Sequence, residues 1–362
     1  MERKNRRLIS LLLCFVFCLN FCLPVGIAQA ETSPQASILP DTEGHWAERE
    51  IKSWTTRELA GGYPDGTFRP DHDLTRAEFV VLVNRVFGYT QTSDLNFTDV
   101  LAEAWYASDI AKAKANGYIS GYPDGTFQPN QPIIRQEVAT ILMKVLSLKE
   151  IAPDALPQFT DQNEIPLGNL SAIGAISESG YMGGYPDGTF QPTKVLTRAE
   201  AISVLDRAVG LLYNRTGTFG PLLTTTTIEG NVTITSGDVT LKNMVITGNL
   251  YLTEGVTLGQ LTLDNVQIQG TVKISGGTKI NLTPKTKLNT LLLEAPTAIT
   301  GKGTIATAYI NTSGVTIETK PTKIEVADGV TDFKSTPPKT TSSSSKKVPN
   351  YTVTFKDYDG QH

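Results

Sequence analysis

The chain has 362 residues, enough for two or three domains with separate cores, and its contents of aromatic (8%) and charged (19%) residues are ordinary for globular proteins. The formal net charge of −4 at pH 7 gives no basic footprint of the kind that nucleic-acid-binding domains carry. We therefore expect no nucleic-acid partner.

The first thirty residues have the pattern of a secretory signal peptide. Four basic residues near the N-terminus precede an apolar run over residues 8–25, and Ala28-Gln29-Ala30 forms a small-x-small cleavage site. An uncleaved membrane anchor is the alternative, but the run is near the lower length limit for a span. We assign residues 1–30 to the signal peptide and expect no membrane contact after its removal.

All three cysteines, Cys14, Cys18 and Cys22, lie inside this segment. The mature chain would then have no disulfide, thiol nucleophile or thiolate metal site. Secretion without disulfides favours a Gram-positive bacterial surface. Removing residues 1–30 takes away one acidic and four basic residues, which leaves 35 acidic and 28 basic side chains and a mature charge of −7.

One seven-residue phrase, Gly-Tyr-Pro-Asp-Gly-Thr-Phe, occurs at residues 62–68, 121–127 and 184–190. Its copies are 59 and 63 residues apart, and an arginine follows each at the same two spacings. These arginines are Arg76, Arg135 and Arg198. Self-similarity at a fixed period predicts a tandem array.

Each repeat is predicted to form a helix, a loop and a second helix, with repeats at residues 36–92, 93–155 and 156–214. In the loop, Pro fixes φ and Gly occupies a position with positive φ. The second helix begins with a capping box in repeats one and three, Thr75 with Glu78 and Thr197 with Glu200. A helical pair of this size is marginal alone, so we expect three pairs to share one core in a three-lobed all-α domain.

This combination of turn, helix start and opening residues resembles the S-layer homology family over about half the chain. The resemblance implies a pseudo-trimer that binds secondary cell-wall polysaccharide, with pyruvate ketals expected on the sugars, in grooves between lobes. It also implies which positions face the ligand: Arg76, Arg135 and Arg198 at the helix starts, Asp41, Asp99 and Asp161 at the repeat openings, and Trp46 and Trp105. Other surface-layer proteins are further candidate partners.

The chemistry of these positions suits an anionic sugar. A helix N-terminus and an arginine both favour a carboxylate, and a tryptophan offers a flat apolar face to a sugar ring. Each position also has a structural alternative: the arginines as solvated charges, the tryptophans as packing between helices, and the aspartates as caps of the first helix. The repeats also differ, because repeat two has Ile134 at the capping position and repeat three has Gly168 at the tryptophan position.

After about residue 215 the helical spacing stops and short alternating segments begin. Residues 239–253 align with 261–275 at an offset of 22 residues, which predicts a parallel β-solenoid over residues 218–333 with roughly five rungs. Its inward residues would include Val239, Leu241, Ile246, Leu250 and Leu252, and Asn243 and Asn265 would stack at a corner. A β-sandwich is the competing fold.

The β region lacks the signature of a catalytic module. Its acids Asp238, Glu254, Asp264 and Glu294 are spread along the sequence near turns, and no histidine lies between positions 73 and 361. We interpret the acids as solvated turn residues and expect no catalytic residues, no metal and no cofactor.

Residues 334–349 are rich in Ser, Thr, Pro and Lys and predict a flexible linker, and residues 350–362 resemble the start of a truncated β-repeat. The sequence as a whole predicts a secreted, non-catalytic protein attached to the cell wall at the cell surface or S-layer. The alternatives are an anchored polysaccharide-degrading enzyme with a β-helical catalytic module, and an adhesin.

Overall fold

The computed structural model describes residues 39–151, 158–277 and 279–335. The predicted signal peptide, most of the predicted linker and the predicted truncated β-repeat lie outside these residues. Within the described residues, no helix has both the length and the apolar character needed to cross a membrane.

The described part of the N-terminal half contains six α-helices, two in each repeat, as predicted. Their bounds are α1 Glu48–Thr56, α2 Arg76–Phe87, α3 Ala107–Ala115, α4 Arg135–Val145, α5 Leu167–Glu178 and α6 Arg198–Val209. The first helix of each repeat packs on the second helix of the preceding repeat: α3 on α2, α5 on α4, and α1 on α6. The last of these contacts closes the array into a ring.

The three lobes share one core, which confirms the predicted three-lobed domain. Phe68, Phe127 and Phe190 from the repeated turns are 0%, 1% and 0% exposed in the same apolar cluster. At the centre, three backbone hydrogen bonds run around the ring, from Leu74 N to Leu196 O (3.0 Å), from Ile133 N to Leu74 O (2.8 Å) and from Leu196 N to Ile133 O (3.0 Å). Backbone hydrogen bonds therefore join each lobe to both of the others.

The second half of the chain is a parallel β-solenoid, and the competing β-sandwich is wrong, because all strand pairs among the described residues are parallel. The strands are β1 Leu211–Tyr213, β2 Gly217–Phe219, β3 Thr226–Ile228, β4 Val232–Ile234, β5 Val239–Ile246, β6 Leu250–Leu252, β7 Gln260–Ile274, β8 Lys279–Leu282, β9 Lys287–Leu293, β10 Ala298–Gly301, β11 Thr304–Ile310, β12 Thr316–Ile317, β13 Lys323–Val326 and β14 Lys334–Ser335.

The solenoid has about seven turns rather than the predicted five. The first strand already begins at Leu211, and the turns shorten along the chain. Val239 pairs with Leu261 at the expected offset of 22, whereas Thr307 pairs with Lys323 at an offset of 16. The predicted number of turns was too low because it assumed a constant period of 22 residues.

The predicted interior and corner of the solenoid are confirmed. Val239, Leu241, Ile246, Leu250 and Leu252 are at most 2% exposed. At the corner, Asn265 Nδ2 donates to Asn243 Oδ1 at 2.8 Å, and Asn243 Nδ2 donates to Pro221 O at 2.9 Å. Both asparagines have positive φ (51° and 57°), a conformation that asparagine tolerates better than most residues.

The solenoid packs against the C-terminal ends of the second helices of the lobes. Asn231 Nδ2 donates to Ala208 O (2.7 Å) at the end of α6, and Lys273 Nζ donates to Val145 O (2.9 Å) at the end of α4. Glu254 Oε1 accepts from Thr90 N (2.9 Å) just beyond α2. A positive group at a helix C-terminus also matches the helix dipole.

Two acids take part in this junction. Glu254 is 8% exposed, and the Glu294 carboxylate lies 3.2 Å from Lys273 Nζ. The interpretation of Glu254 as a solvated turn residue is wrong, because it is buried at the junction between the helical ring and the solenoid. Glu294 is exposed after the end of β9, as predicted, but it also pairs with Lys273 at this junction. The helix N-termini, with their arginines, lie at the opposite end of helices that are about 18 Å long.

Candidate functional site

Each helix-start arginine reaches from its own lobe to the turn of the next lobe. The Nε donors bind backbone carbonyls at 2.8–3.0 Å: Arg76 to Phe127 O, Arg135 to Phe190 O and Arg198 to Phe68 O. Each guanidinium also lies 4.7–4.9 Å from the ring centre of the turn tyrosine, Tyr122, Tyr185 and Tyr63 respectively. The arginines therefore mark three grooves between lobes and are not solvated charges.

The amides at the helix starts are already used. Arg76 N donates to Gln131 O (2.9 Å) and Ala77 N to Pro129 O (3.0 Å), and the other two helices have the equivalent bonds to the neighbouring lobe. These two amides of each helix are therefore not free to contribute to the expected binding of an anion at the helix N-terminus. Attraction of an anion to these grooves depends on the arginine side chains.

The three arginines differ in their acidic partners. Arg76 Nη1 lies 2.5 Å from Glu137 Oε1, and Arg198 Nη1 lies 3.7 Å from Glu78 Oε1. Arg135 is 7% exposed, and no carboxylate of the described residues lies within 4.0 Å of its nitrogens. Burial lowers the pKa of Arg135 from its usual value. Arg135 is therefore the one of the three arginines without a carboxylate of the described residues in direct contact.

The opening aspartates hold the repeated turn of their own lobe. Asp41 Oδ1 accepts from Phe68 N (2.8 Å) and Asp41 Oδ2 from Arg69 N (2.6 Å), and Asp99 and Asp161 repeat this pair of bonds. The aspartates do not cap the first helices, because α1 begins only at Glu48. Their direct role is to fix the carbonyl that the neighbouring arginine binds.

The ionisation of Asp41 reflects these contacts. Burial raises its pKa, but the hydrogen bonds from Phe68 N and Arg69 N favour the charged form and bring the pKa below the usual value for an aspartate. The turn therefore depends on a charged carboxylate.

The two candidate tryptophans are exposed. Trp46 is 60% and Trp105 is 64% exposed, whereas the third tryptophan, Trp54, is 2% exposed and lies in the core. The packing alternative for Trp46 and Trp105 is wrong. Both indole rings are therefore open to a ligand or a partner.

One groove shows how the lobes combine. A groove of about 220 Å³ is lined by Arg198 of the third repeat, by Gly61, Gly62 and Phe68 of the first repeat, and by Trp105 of the second. A single site thus takes its arginine, its turn and its indole from three different lobes.

The ring symmetry assigns an indole to two of the three grooves. By the same rotation, Trp46 corresponds to the groove of Arg135, and Gly168 corresponds to the groove of Arg76. The residue before this glycine, Leu167, is 87% exposed. The Arg76 groove therefore lacks an indole and has the most neutralised arginine, so the three grooves are unequal.

The sequence did not reveal two further groove residues in each lobe, the turn tyrosine and the capping glutamate. The predicted capping boxes are present at Thr75 and Thr197. Glu78 and Glu137, however, also face the arginine of the preceding lobe, whereas Glu200 pairs with Lys194 at 3.0 Å. Glu137 Oε1 also accepts from Tyr122 Oη at 2.6 Å. Burial and this bond raise the pKa of Tyr122 to about 12. The turn tyrosine and the capping glutamate recur in all three repeats, and this recurrence could have identified them from the sequence.

Comparison with known proteins agrees with this geometry. Residues 39–80, 96–139 and 158–202 match the S-layer homology domain family. Three segments of the chain thus match the S-layer homology domain, and the β-solenoid follows them.

Several surface proteins are similar to the chain. It is 35% identical over 168 residues to Cell surface glycoprotein 1 of Acetivibrio thermocellus (42% of this chain, 7% of that protein) and 32% identical over 155 residues to the Cellulosome-anchoring protein of the same organism (41% and 34%). It is also 29% identical over 171 residues to Exoglucanase XynX of A. thermocellus (46% and 16%). These matches span at most about a third of each relative.

Proposed function

We propose that the chain attaches a secreted surface protein to the bacterial cell wall by binding secondary cell-wall polysaccharide in the grooves between its S-layer homology domains. The two relatives named for the cell surface and for anchoring support the attachment role. The groove that joins Arg198, the first turn and Trp105 is the observation that carries the proposal.

The groove chemistry favours a sugar that carries a carboxylate, such as a pyruvate ketal. The indole face covers the apolar side of a sugar ring, and the arginine binds the carboxylate in a two-pronged geometry. Because the arginine is fixed by a backbone carbonyl and a tyrosine ring before the ligand arrives, little side-chain entropy is lost on binding.

The three grooves are expected to contribute unequally. The Arg135 groove combines the least neutralised arginine with Trp46, so it should bind most strongly, and the Arg76 groove most weakly. Occupation of several grooves by one polymer would add avidity without further contacts.

Within this proposal the chain is non-catalytic and the solenoid is a spacer or display module. Three of its acids have structural partners: Glu254 with Thr90, Glu294 with Lys273, and Asp264 with Lys242 at 3.3 Å. The exoglucanase among the relatives makes an anchored enzyme the second candidate. An activity screen of the purified chain on acidic glycans tests that alternative directly.

Co-sedimentation with purified wall sacculi, before and after removal of the secondary polymer, tests the attachment. The informative variant is Trp46→Ala/Trp105→Ala, because both side chains are exposed and their loss leaves the fold intact. The matched control is Leu223→Ala, which removes a 97% exposed side chain from the solenoid. Alanine variants of the buried arginines are less suitable, because they would leave the turn carbonyls unpaired.

We expect sedimentation of the unaltered chain and the control with intact sacculi, and loss of at least about tenfold in affinity for the tryptophan variant. Binding that survives removal of the polymer would point to peptidoglycan and contradict the proposal. If the tryptophan variant bound sacculi as tightly as the unaltered chain, the two indoles would not be part of the binding site.

A further inference from the structure

The solenoid carries a polar groove on a face that the helical ring leaves open. The helical ring contacts the face formed by β4, β6 and the end of β7, through residues such as Thr233 and Tyr251. A groove of about 540 Å³ lies on the face formed by the middle of β7 and the starts of β9 and β11. Its outward polar residues are Gln267, Gln269, Lys287, Asn289, Thr304 and Thr322.

The groove runs along the solenoid axis. Gln267 pairs with Lys287, and Lys287 pairs with Thr304, so these side chains follow one another from turn to turn. With successive strands about 4.8 Å apart, four turns from Gln267 to Thr322 extend over roughly 14 Å. This length suits a short stretch of an extended polymer better than a compact small molecule.

Lysines line the adjacent corner of the solenoid. Lys285 lies in the corner between β8 and β9, and Lys302 lies in the same corner one turn later, where Lys302 N donates to Leu282 O at 2.9 Å. Lys285, Lys287 and Lys302 are exposed, and no carboxylate of the described residues lies within 4.0 Å of their ammonium groups. Glu318 follows one turn further on, where its Oε2 accepts from Gly301 N at 3.0 Å.

This corner brings together three lysines that have no carboxylate of the described residues within 4.0 Å, whereas three other lysines of the solenoid are paired. Lys242, Lys273 and Lys323 are paired with Asp264, Glu294 and Glu325. The chain as a whole is acidic, with a formal net charge of −4. Three lysines without acidic partners beside a groove of amides and hydroxyls therefore favour a ligand with negative charges and many hydroxyl groups.

We propose that this face of the solenoid binds a strand of acidic, carboxylate-bearing glycan. The lysines would pair with the carboxylates, and the amide side chains of Gln267, Gln269 and Asn289 would exchange hydrogen bonds with sugar hydroxyls. The groove residues include no aromatic ring, so binding there differs from binding in the indole grooves between the lobes. The proposal does not depend on wall attachment by the S-layer homology domains.

Affinity electrophoresis or calorimetry at low ionic strength, with the chain carrying Trp46→Ala/Trp105→Ala, isolates this surface. The probes are polygalacturonate, neutral dextran and polyphosphate. The test variant is Lys285→Gln/Lys287→Gln/Lys302→Gln. The matched control is Lys52→Gln/Lys279→Gln/Lys334→Gln, which removes the same charge from three other exposed lysines without a carboxylate of the described residues within 4.0 Å. A second test variant, Gln267→Ala/Gln269→Ala, removes the amides.

We expect binding to polygalacturonate and not to dextran, with a loss of about tenfold in the lysine variant, because three exposed ion pairs each contribute a few-fold. The control should stay within about twofold. The amide variant should weaken polygalacturonate binding about threefold and leave polyphosphate binding unchanged. Equal losses in the test and control lysine variants, or no loss in either, would overturn the proposal. If the amide variant bound polygalacturonate as tightly as its parent, the surface would be a general site for polyanions and the proposed glycan site would be wrong.

Discussion

At the residue scale, the opening aspartates show how a repeated motif serves the binding groove indirectly. Asp41 accepts hydrogen bonds from two consecutive amides, one of which belongs to Arg69, a residue with a φ of 57°. The carboxylate thereby fixes the strained end of the turn. Phe68 O, which binds Arg198, lies in this same segment.

Asp41→Asn replaces one carboxylate oxygen by an amide group that faces a backbone donor. We expect the free energy of unfolding to fall by about 1–2 kcal/mol at pH 7, because one N–H loses its acceptor. Urea denaturation followed by circular dichroism measures the change. Leu223→Ala, at an exposed position, should be within about 0.5 kcal/mol of the unaltered chain.

The unaltered chain and Asp41→Asn also allow a test of how this contribution to stability depends on pH. Since the folded pKa of Asp41 lies below the unfolded value of about 3.9, its contribution is fully present above that value and is lost as the pH falls through the lower folded value. The stability difference between the unaltered chain and Asp41→Asn should therefore shrink below about pH 4. A difference that stays constant down to pH 2 would contradict this account.

At the scale of elements, α4, the second helix of repeat two, lacks the side-chain acceptor at its N-cap. Thr75 and Thr197 accept from the amides of Glu78 and Glu200 at 3.2 Å, whereas Ile134 has no side-chain oxygen to offer. Glu137 Oε2 still accepts from Ile134 N at 3.2 Å, so half of the capping box remains. The helix forms nevertheless, because its core face packs in the shared interior.

Ile134→Thr should complete this capping box. We expect a gain of about 0.5–1 kcal/mol in the free energy of unfolding, reduced by the apolar area that the half-buried isoleucine loses. Thermal unfolding by calorimetry would show a rise of a few degrees. Ile134→Val removes similar apolar area without adding an acceptor, and stabilisation by this control as well would exclude capping as the cause.

At the scale of the whole molecule, the helical ring and the solenoid are joined by buried polar contacts. Lys273 Nζ is bound by Val145 O, Ser147 Oγ (2.7 Å) and the Glu294 carboxylate, and burial lowers the pKa of Lys273 although Glu294 opposes this shift. Such a junction holds the solenoid at a fixed position relative to the binding grooves.

Lys273→Met should destabilise the chain by about 2–4 kcal/mol, because it leaves the buried helix-end carbonyl of Val145 without its donor and removes the cation that pairs with Glu294. Lys242→Met is a matched control, since Lys242 and Asp264 form a solenoid pair that is 34% and 35% exposed, and its cost should stay below about 1 kcal/mol. Denaturant unfolding with probes for both domains measures the effect. Equal costs for the two variants would show that the junction contributes no more than a surface pair.

The amino-acid sequence by itself determined the local structure of this protein. The triplicated turn and the capping pairs predicted six helices in three repeats, and alternation with a 22-residue offset predicted a parallel solenoid with Asn243 and Asn265 at one corner. These features depend on contacts between residues close in sequence or related by a regular repeat. Such contacts leave a direct pattern in the chain.

Only the tertiary structure decided how the candidate groove is assembled. Arg198, Phe68 and Trp105 belong to three different repeats, and no spacing in the sequence indicates that they share a groove. The neutralisation of Arg76 by Glu137, the use of the helix-start amides and the junction role of Glu254 likewise depend on closure of the ring and on docking of the solenoid. Closure and docking are set by the packing of whole surfaces, and this packing is spread over many residues far apart in the chain.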